Sequence, residues 1–381
     1  MNIGLLMDPH QICYNTLNYF MDCIANALNH LGIHTEKFLE LDDLQGTSWD
    51  ALVTINDNFS SLKTDNGSFI ADSFKCPVFL IIVDPPYYHH HLLESHMNNM
   101  HLILLDEGHV EYCRKYYPTF KSTKMSYLLG PTGKAKSYEE RTIDVLFTGS
   151  LPKDDYKSIA VKACPYEWAG SLFDALVLNG ITHPEITTYQ SMLTLLPQEH
   201  ARFSSRDFKL LMSVFGTYSE YYLRRYFRQK LITTLVDAGI KVHVAGNGWE
   251  NLYCSCPDNL ILEGSVDFLK TADLASDARI SLNVMPWFKD GLHDRILTTM
   301  LNGSVCVTDP SSCIKSNFED GRNIVLYDLL HLKELPDKIT WLLENPDKAK
   351  SIALEGQHKA SNKYSWNNFV LEYILEPLLT Q

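Results

Sequence analysis

The sequence predicts an α/β fold of two doubly wound, Rossmann-like domains, with a helical insertion in the second domain. Two observations predict it: short apolar segments recur along both halves of the chain, and helical segments separate them. Because these apolar segments have no polar face, we expect parallel sheets that are covered by helices. The length of 381 residues is sufficient for two domains, each with its own core.

In the first half, the predicted strands are NIGLLMD, ALVTIND, VFLIIVD and HLILLDE. The stretch Ile12–Leu31 is predicted to form an amphipathic helix that ends at Gly32. The polar stretch 130–141 interrupts this alternation and is the predicted linker. We therefore expect an N-terminal Rossmann-like domain over residues 1–135.

Six more strands are predicted in the second half, TIDVLFTGS, KVHVAGN, LILEGS, ARISLNVM, SVCVTD and NIVLYD. Residues 151–239 contain several helical stretches and no predicted strand, and apolar residues recur four apart from Leu223 to Leu235. We expect a second domain over residues 141–360, with its helical insertion at about residues 151–239. An apolar helix is expected over residues 361–381.

Composition excludes several classes of protein. The net charge of −13 and a pI near 5.6 argue against nucleic acid or an anionic membrane as the principal partner, because both require a basic surface. No apolar run is long enough to span a bilayer. Nine cysteines, spread over predicted helices and strands, are typical of free thiols, and the pair in Cys254–Cys256 lacks a second pair at zinc-site spacing. We expect a cytoplasmic protein without a transmembrane segment.

The segment Asp290–Asp309, DGLHDRILTTMLNGSVCVTD, combines a charged cluster, a helix and a strand. The first helical turn carries His293, Asp294 and Arg295. The N-terminus of a helix favours an anion, and an arginine there adds a bidentate phosphate donor. Gly303 is predicted to end the helix. The segment therefore predicts an anion-binding site.

Further candidates follow from the strand ends, because ligands of open α/β sheets bind outside the carboxyl ends of the strands. Glycines there allow a close approach to a ligand, and polar or aromatic side chains supply contacts. The alternatives are ordinary turns for the glycine loops and core packing for the aromatic residue after the last strand. The candidate binding residues are Gly149, Ser150, Gly246, Asn247, Gly248, Trp249, Gly264, Ser265, Val266, Gly291, His293, Arg295 and Tyr327.

The order of these pieces resembles that of GT-B glycosyltransferases, most closely the branch typified by the spore-maturation CgeB-like proteins. The pieces are VHVAGNGW, LILEGSV, DRILTTMLNG, NIVLYD and WLLENPDKAKSIALEGQ, and the resemblance covers roughly residues 141–370. It implies a GT-B fold with the active site in the cleft between the domains. It also implies transfer of a sugar, with retention, from a nucleotide diphosphate sugar to an unidentified acceptor. Because a metal-binding Asp-x-Asp motif is not apparent and Arg295 is available, we expect no metal and no cofactor besides this donor.

The resemblance also implies roles for single residues. Related retaining enzymes carry two glutamates eight positions apart, and counting back from Gly303 places them at Asp290 and Thr298. The first acid is thus kept as Asp290, next to the donor sugar, and the second, which binds ribose, is lost. Arg295 is implied to bind the diphosphate, whereas His293 is either a ligand contact or a solvated residue.

In the first domain, the segment VFLIIVDPPYYHHHLLESH places Asp84, His89 and His90 after a buried strand. GT-B enzymes generally place a polar residue from this region close to the donor sugar or the acceptor, so these three are catalytic candidates. The alternative is a solvated helix face. A metal site is disfavoured because adjacent histidines on a helix point in different directions. His10 is a further candidate to line the cleft.

Two other functions remain open. A nucleotide-sugar epimerase or hydrolase can use the same fold, and a non-catalytic nucleotide-sugar-binding partner of another transferase would explain the missing second acid. The sequence lacks a GxSxG motif, a Walker lysine loop and a GxGxxG motif after a strand. This absence disfavours the common hydrolase, kinase and dehydrogenase classes.

Overall fold

The computed structural model describes residues 1–8, 12–40, 48–56, 67, 74–94, 99–134, 136–196 and 203–380. The chain divides into two units. The first consists of Met1–Leu129 together with Tyr364–Gln381, and the second consists of Gly130–Lys363. Each unit contains one six-stranded parallel sheet.

The first unit alternates strands with helices. Its strands are β1 (Asn2–Leu6), β2 (His34–Phe38), β3 (Ala51–Ile55), β4 (Val78–Ile82), β5 (Met100–Leu104) and β6 (Ser122–Met125). Its first helices are α1 (Ile12–His30), α2 (His90–Leu93) and α3 (Glu107–Tyr116). The sheet order is β2-β1-β3-β4-β5-β6, and every residue of β3, β4 and β5 is buried.

The two edge strands of this sheet, β2 and β6, were not predicted from the sequence. Their sequences, HTEKF and STKM, are largely polar and partly exposed. An edge strand pairs on one side only and need not be apolar, so the apolar pattern that identifies central strands misses it.

The second unit contains all six strands predicted for it. They are β7 (Ile143–Thr148), β8 (Val242–Ala245), β9 (Leu260–Gly264), β10 (Ala278–Leu282), β11 (Val305–Thr308) and β12 (Val325–Leu326). Its helices are α4 (Tyr156–Ala163), α5 (Ala169–Thr182), α6 (Thr188–Leu195), α7 (Ser205–Leu211), α8 (Thr217–Asp237), α9 (Phe268–Asp277), α10 (Asp294–Leu301), α11 (Ser312–Asn317), α12 (Leu335–Glu344) and α13 (Pro346–Lys363). The predicted α/β fold with two parallel sheets is confirmed.

The predicted helical insertion is formed by α4 to α8, which lie between β7 and β8. A π-helical segment, Met212–Gly216, joins α7 to α8 without a break. Leu223, Phe227, Leu231 and Leu235 of α8 are buried in the core of the second unit, as their spacing of four predicted.

The order of the second sheet, β12-β11-β10-β7-β8-β9, defines where a ligand can bind. The chain runs outward from β7 through β8 to β9 and then returns to the other side of β7 with β10. The connections after β7 and β10 therefore leave the sheet in opposite directions and open a crevice at its carboxyl edge. Residues that follow these two strands are the first candidates for a site.

The C-terminal segment completes the first unit with α14 (Trp366–Val370) and α15 (Glu376–Leu379), which a π-helical segment, Leu371–Leu375, joins. The Tyr127 hydroxyl donates to the Ser365 carbonyl at 3.1 Å, and Phe369 is fully buried. In the described ranges, no helix is both long enough and apolar enough to cross a membrane.

Candidate functional site

Three arginines meet at the crevice between β7 and β10. Arg224 and Arg228 lie one turn apart on α8, and Arg295 lies in the first turn of α10. The guanidinium carbon of Arg224 is 4.0 Å from the centre of the Trp287 ring, and that of Arg228 is 5.9 Å from the same ring. Arg228 and Arg295 each lie 5.8 Å from the centre of the Phe147 ring. Two aromatic side chains thus hold three cations close together.

Neutral groups orient two of these guanidinium groups. Arg228 donates from Nη1 to the Ser150 carbonyl at 2.7 Å, and Arg295 donates from Nη1 to Asn283 Oδ1 at 2.6 Å. In the part of the chain that the structure describes, neither Arg228 nor Arg295 forms an ion pair with a carboxylate. Their positive charge is therefore unbalanced in the sense that no direct ion pair neutralises either cation, although Asp294 acts on Arg295 through its charge.

This unbalanced charge is unfavourable in the unliganded protein. Arg228 is 7% exposed, and its burial, followed by the charges of Arg295 and Arg224, holds the pKa of its guanidinium well below its usual value. Burial also lowers the pKa of Arg295, and Arg224 adds to this effect while Asp294 opposes it. An anion bound between these groups would relieve the repulsion, so the geometry favours an anionic ligand.

His293 caps α10, and its side chain is partly buried. It is therefore less exposed than expected for the solvated residue that the sequence analysis gave as one of two alternatives. Its Nδ1 atom lies 2.7 Å from Asp294 Oδ1 and 3.2 Å from the backbone nitrogen of Arg295. Burial lowers the pKa of His293, Asp294 opposes that effect, and the positive charges of Arg295 and Arg224 lower the pKa further. His293 is thus a partly buried imidazole whose proton affinity depends on the charge of the arginines around it.

The glycines after β7 and β8 bring two loops of the protein together. A Cβ atom on Gly246 would lie 2.6 Å from the Gly149 backbone, and one on Gly248 would lie 2.0 Å from the Leu151 carbonyl oxygen. Gly248 also has a positive φ of 93°. These glycines are required by the contact between the loops, which differs from the predicted reason, a close approach to the ligand. Asn247 is exposed at the tip, and its N–H group donates to Ser150 Oγ at 3.2 Å.

Two aromatic candidates are buried in the core of the unit. Trp249 is 1% exposed and donates from Nε1 to the Gly149 carbonyl at 2.7 Å. Tyr327 is 4% exposed, and its hydroxyl donates to the Asn283 carbonyl at 2.6 Å. Their part in ligand binding stays a prediction, and in this structure their rings pack in the core while each polar atom bonds to the backbone of a neighbouring candidate or site residue.

The candidates after β9 lie at the sheet edge. Gly264 has a φ of 72°, its carbonyl accepts from the Gly246 N–H at 2.8 Å, and no atom lies within 4 Å of the position that a Cβ would take. Gly264 and Ser265 are exposed, and Val266 is partly buried. Their role in ligand binding stays a prediction.

Asp290 lies in the loop between β10 and α10. The residue that caps α10 is His293, so Asp290 is not the helix cap. Asp290 Oδ1 accepts from Ser312 Oγ at 2.5 Å, and the neighbouring Gly291 carbonyl accepts from Ser311 Oγ at 2.6 Å. These bonds fix the loop and leave the catalytic role of Asp290 as a prediction.

Thr298 occupies the position where the second acid was expected. It is buried, and its hydroxyl donates to the Asp294 carbonyl at 2.8 Å. A Cβ atom on Gly130 would lie 1.9 Å from Thr298 Oγ1, so the chain at Gly130 lies directly against this side chain. The contact leaves no room for a longer acid at position 298 without a shift of the backbone.

The catalytic candidates of the first unit lie after β4, where Asp84 and His89 come near each other. Asp84 Oδ2 is 3.9 Å from His89 Nε2 and accepts from Asn56 Nδ2 at 3.3 Å. His90 is buried, and its Nδ1 atom lies 2.9 Å from the Tyr117 hydroxyl. A catalytic role for His90 therefore has no support in its surroundings, whereas the roles of Asp84 and His89 stay predictions.

Asn56, which donates to Asp84, has an unusual backbone conformation. It adopts a positive φ of 44°, which is uncommon for a residue other than glycine and is frequent at functional sites.

Two further predictions concern His10 and metal binding. His10 lies outside the described residues. Within the ranges that the structure describes, no three His, Cys, Asp or Glu side chains are grouped so that they could hold a metal ion.

The sequence analysis missed Arg224, Arg228, Asn283 and Asn56. A signal for the arginines was present in EYYLRRYFRQK, where two of them lie one turn apart and next to the apolar stripe of the helix. A charged side chain next to a buried apolar stripe lowers the stability of the fold unless a partner or a ligand compensates its charge. Nothing in the local sequence marks Asn283 or Asn56.

Comparison with known proteins adds a family and a fold. Residues 224–375 match a family model described as glycosyl transferase-like, so the match contains α8 from Arg224 onward and the segment Asp290–Asp309. A search of curated protein sequences found no significant match. The C-terminal region thus matches the glycosyltransferase class that the sequence predicted, whereas the narrower CgeB-like branch stays a prediction.

Solved structures match the chain over its whole length. The DNA-modifying enzyme beta-glucosyltransferase, solved with and without uridine diphosphoglucose, has a TM-score of 0.58 at 13% identity, with 100% of both chains covered. HepE from Anabaena in complex with UDP has a TM-score of 0.55 at 11% identity, again with 100% of both chains covered. Sucrose-phosphate synthase from Thermosynechococcus elongatus has a TM-score of 0.54 at 9% identity, with 100% and 98% covered. The predicted GT-B fold is confirmed.

The contact between the glycine loops yields a stability prediction. We expect Gly248→Ala to destabilise the protein by about 3 kcal/mol, because the new methyl group meets the Leu151 carbonyl in addition to the strain at positive φ. Gly239→Ala is the matched control, since Gly239 has a φ of 90° but no atom within 4 Å of the new Cβ, and it should cost about 1 kcal/mol. Urea denaturation of both variants measures the difference, and equal destabilisation would contradict the steric explanation.

Proposed function

Taking a GT-B fold and a glycosyltransferase-like C-terminal region as the premise, we propose that the protein transfers a sugar from a nucleotide diphosphate sugar to an acceptor in the cytoplasm. The unbalanced charge of Arg228 and Arg295 at the carboxyl ends of β7 and β10 carries this proposal. A crevice at this position of an open α/β sheet is where a nucleotide binds, and two unpaired guanidinium groups suit the two phosphates of the donor.

The chemical step requires positive charge that is already in place. Cleavage of the bond between the sugar and the diphosphate leaves negative charge on the departing oxygen, and preorganised donors stabilise that charge in the transition state. Arg228 and Arg295 supply it from positions that Ser150 and Asn283 fix. Since these cations already meet the leaving group, we propose that transfer needs no divalent metal.

Asp290 is assigned to the sugar. It lies in the loop after β10, five positions before Arg295, and Ser312 holds one of its oxygens. A carboxylate there can accept bonds from sugar hydroxyls and stabilise the positive charge that develops on the sugar ring. The retaining outcome is proposed from the resemblance to the CgeB-like branch.

The structural neighbours suggest which donors to test first. Beta-glucosyltransferase was solved with uridine diphosphoglucose, and HepE was solved with UDP, so uridine diphosphate sugars are the first choice. The acceptor is proposed to differ from that of the DNA-modifying neighbour, because a net charge of −13 opposes binding to DNA.

Thermal unfolding in the presence of single nucleotide diphosphate sugars tests the proposal. A donor should raise the melting temperature with and without a chelator, because ligand binding stabilises the folded state according to affinity and concentration. The donor that binds is then incubated with a panel of sugar, peptide and small-molecule acceptors. Release of an altered or free sugar from the donor alone would indicate an epimerase or a hydrolase instead, and loss of binding on addition of chelator would contradict metal independence.

Replacement of Arg228 should separate stability from binding. We expect Arg228→Met to be as stable as the unaltered protein or more stable by ~1 kcal/mol without ligand, because the variant removes a buried charge that no carboxylate balances. Stabilisation by uridine diphosphate sugars should be lost, since the diphosphate no longer meets this cation. Urea denaturation with and without ligand measures both quantities.

The matched control is Arg225→Met on the same helix. Arg225 donates to the Asp154 carbonyl and lies over the rings of Tyr156 and Tyr222, away from Trp287 and Phe147. Its replacement should leave ligand stabilisation unchanged. Equal losses of binding in both variants would mean that α8 contributes only its fold to the site.

Donor affinity should depend on pH through His293. A bound diphosphate offsets the charges of Arg295 and Arg224, which lower the pKa of His293 in the free protein, so binding raises that pKa. A ligand that raises a pKa binds more tightly as the pH falls through it, and we expect affinity to rise roughly two- to tenfold from pH 8 to pH 6. A diphosphate sugar is the suitable ligand, because its two phosphodiester groups keep a constant charge over this range.

Calorimetric titration at several pH values measures this dependence. His293→Asn keeps a side chain that caps a helix well and removes the titrating group. Its affinity should not change between pH 8 and pH 6. The same pH dependence in this variant would exclude His293 as its source.

Asp290→Asn should reduce turnover far more than donor affinity. A carboxylate next to the sugar acts on the charge that develops in the transition state, whereas the arginines hold the diphosphate. We expect kcat to fall by about two orders of magnitude with little change in the dissociation constant of UDP. Steady-state rates and UDP titrations together measure this, and turnover close to that of the unaltered protein would restrict Asp290 to fixing the loop through Ser312.

A further inference from the structure

Asn283 lies at the centre of a buried network behind the arginines. It follows β10, it is 0% exposed, and its N–H group donates to the Val307 carbonyl at 2.8 Å, which extends the pairing of β10 with β11. Its side chain accepts from Arg295 Nη1 at 2.6 Å and donates to Thr308 Oγ1 at 2.8 Å. Its carbonyl accepts from the Tyr327 hydroxyl at 2.6 Å. Both the backbone and the side chain of Asn283 are thus held in place.

The network fixes which end of the amide faces Arg295. A guanidinium group only donates hydrogen bonds, so its partner on Asn283 is the oxygen Oδ1. The Thr308 hydroxyl donates its proton to the Asp309 carbonyl at 3.0 Å and therefore accepts from Asn283 Nδ2. A side chain with one acceptor and one donor satisfies both neighbours, which is what asparagine provides.

Asn283 orients a cation without neutralising it. A buried arginine is ordinarily paired with a carboxylate, because an unpaired buried charge is expensive. At position 283 an aspartate would have nearly the same shape, yet the residue present is the neutral amide. The acid next to Arg295 in the sequence, Asp294, lies 2.7 Å from His293 Nδ1 and acts on Arg295 through its charge without an ion pair.

We infer that Asn283 is a positioning residue that aims Arg295 into the crevice while its neutral amide leaves Arg295 free of a carboxylate partner and so able to pair with the diphosphate. This inference rests on the proposed function, since it takes a nucleoside diphosphate as the ligand. It assigns the residue a part in affinity although it does not touch the ligand. The identity of residue 283, amide or acid, then decides whether the crevice accepts an anion.

The test compares Asn283→Asp with Asn283→Ala. Aspartate keeps the shape and the acceptor but neutralises Arg295, so affinity for UDP at pH 8 should fall roughly ten- to hundredfold. Both variants remove the donor to Thr308, but only Asn283→Ala also loses the bond to Arg295, so the urea midpoint of the aspartate variant without ligand should stay above that of the alanine variant. The slope of log affinity against log salt concentration should also be smaller for the aspartate variant, because one charge fewer meets the ligand.

A second buried asparagine of the same unit provides the matched control. Asn323 is 5% exposed, and its Oδ1 atom accepts from the Glu319 N–H at 2.8 Å. Asn323→Asp keeps that bond, so it introduces the same charge elsewhere in the unit. Its affinity for UDP should match that of the unaltered protein.

A double variant separates neutralisation of Arg295 from other effects. With Arg295→Gln in place, Asn283→Asp should lower UDP affinity by no more than about twofold further, because the cation that it neutralises is already absent. Full additivity of the two losses would overturn the inference. So would UDP binding by Asn283→Asp within twofold of the unaltered protein while the variant is folded.

The outcomes distinguish this inference from the proposed function. If the unaltered protein binds neither UDP nor inorganic pyrophosphate, the proposed function fails and this inference fails with it. If it binds UDP and loses binding on Arg295→Gln but not on Asn283→Asp, the proposed function stands and only the role of Asn283 is refuted.

Discussion

One electrostatic feature organises the second unit: two buried guanidinium groups at the crevice have no carboxylate in a direct ion pair with them in the described part of the chain. Arg228 and Arg295 are held instead by neutral oxygens of Ser150 and Asn283. The acids of the segment Asp290–Asp309 have other partners. Asp290 accepts from Ser312, Asp294 lies against His293, and Asp309 accepts from the Met285 N–H at 2.8 Å and is drawn electrostatically to Lys289. The acids of this segment are thus placed so that none forms a direct ion pair with the two guanidinium groups, although Asp294 acts on Arg295 through its charge.

Such a site costs stability, and the rest of the unit offsets that cost. Burial of uncompensated guanidinium groups is unfavourable, and the extensive apolar core formed by β7, β8, β10 and α8 supplies the opposing term. The loops after β7 and β8 add rigidity. Gly246 and Gly248 let the two loops pack directly on each other, and the Trp249 side chain donates a hydrogen bond to the Gly149 carbonyl. Stability and function therefore compete at the arginines, as they do at many preorganised sites.

Most of the fold follows from the sequence, because central strands and their helices carry clear apolar patterns, whereas β2 and β6 were missed because polar edge strands do not. The site was only partly predictable. Arg295 could be found because its anion-binding geometry is local to one helix start. The sequence could not assign Arg228 to the site. The periodicity of α8 shows that the helix has a buried face, but it does not show which strands of the sheet that face packs against. The sequence could not decide the roles of Trp249 and Tyr327, because an aromatic residue after a strand can face the ligand or the core, and tertiary packing decides between them.

The π-helical segment Met212–Gly216 changes the direction in which the side chains of α7 point relative to those of α8. It adds one residue to a turn, so the helix before it is rotated by about 100° relative to an uninterrupted α-helix. The face of α7 that carries Phe208 can therefore pack against Tyr189 of α6 while the face of α8 presents its arginines, although the two helices are continuous. The direction of Arg224 and Arg228 is thus set by the packing of α8 itself and does not follow from the face that α7 presents.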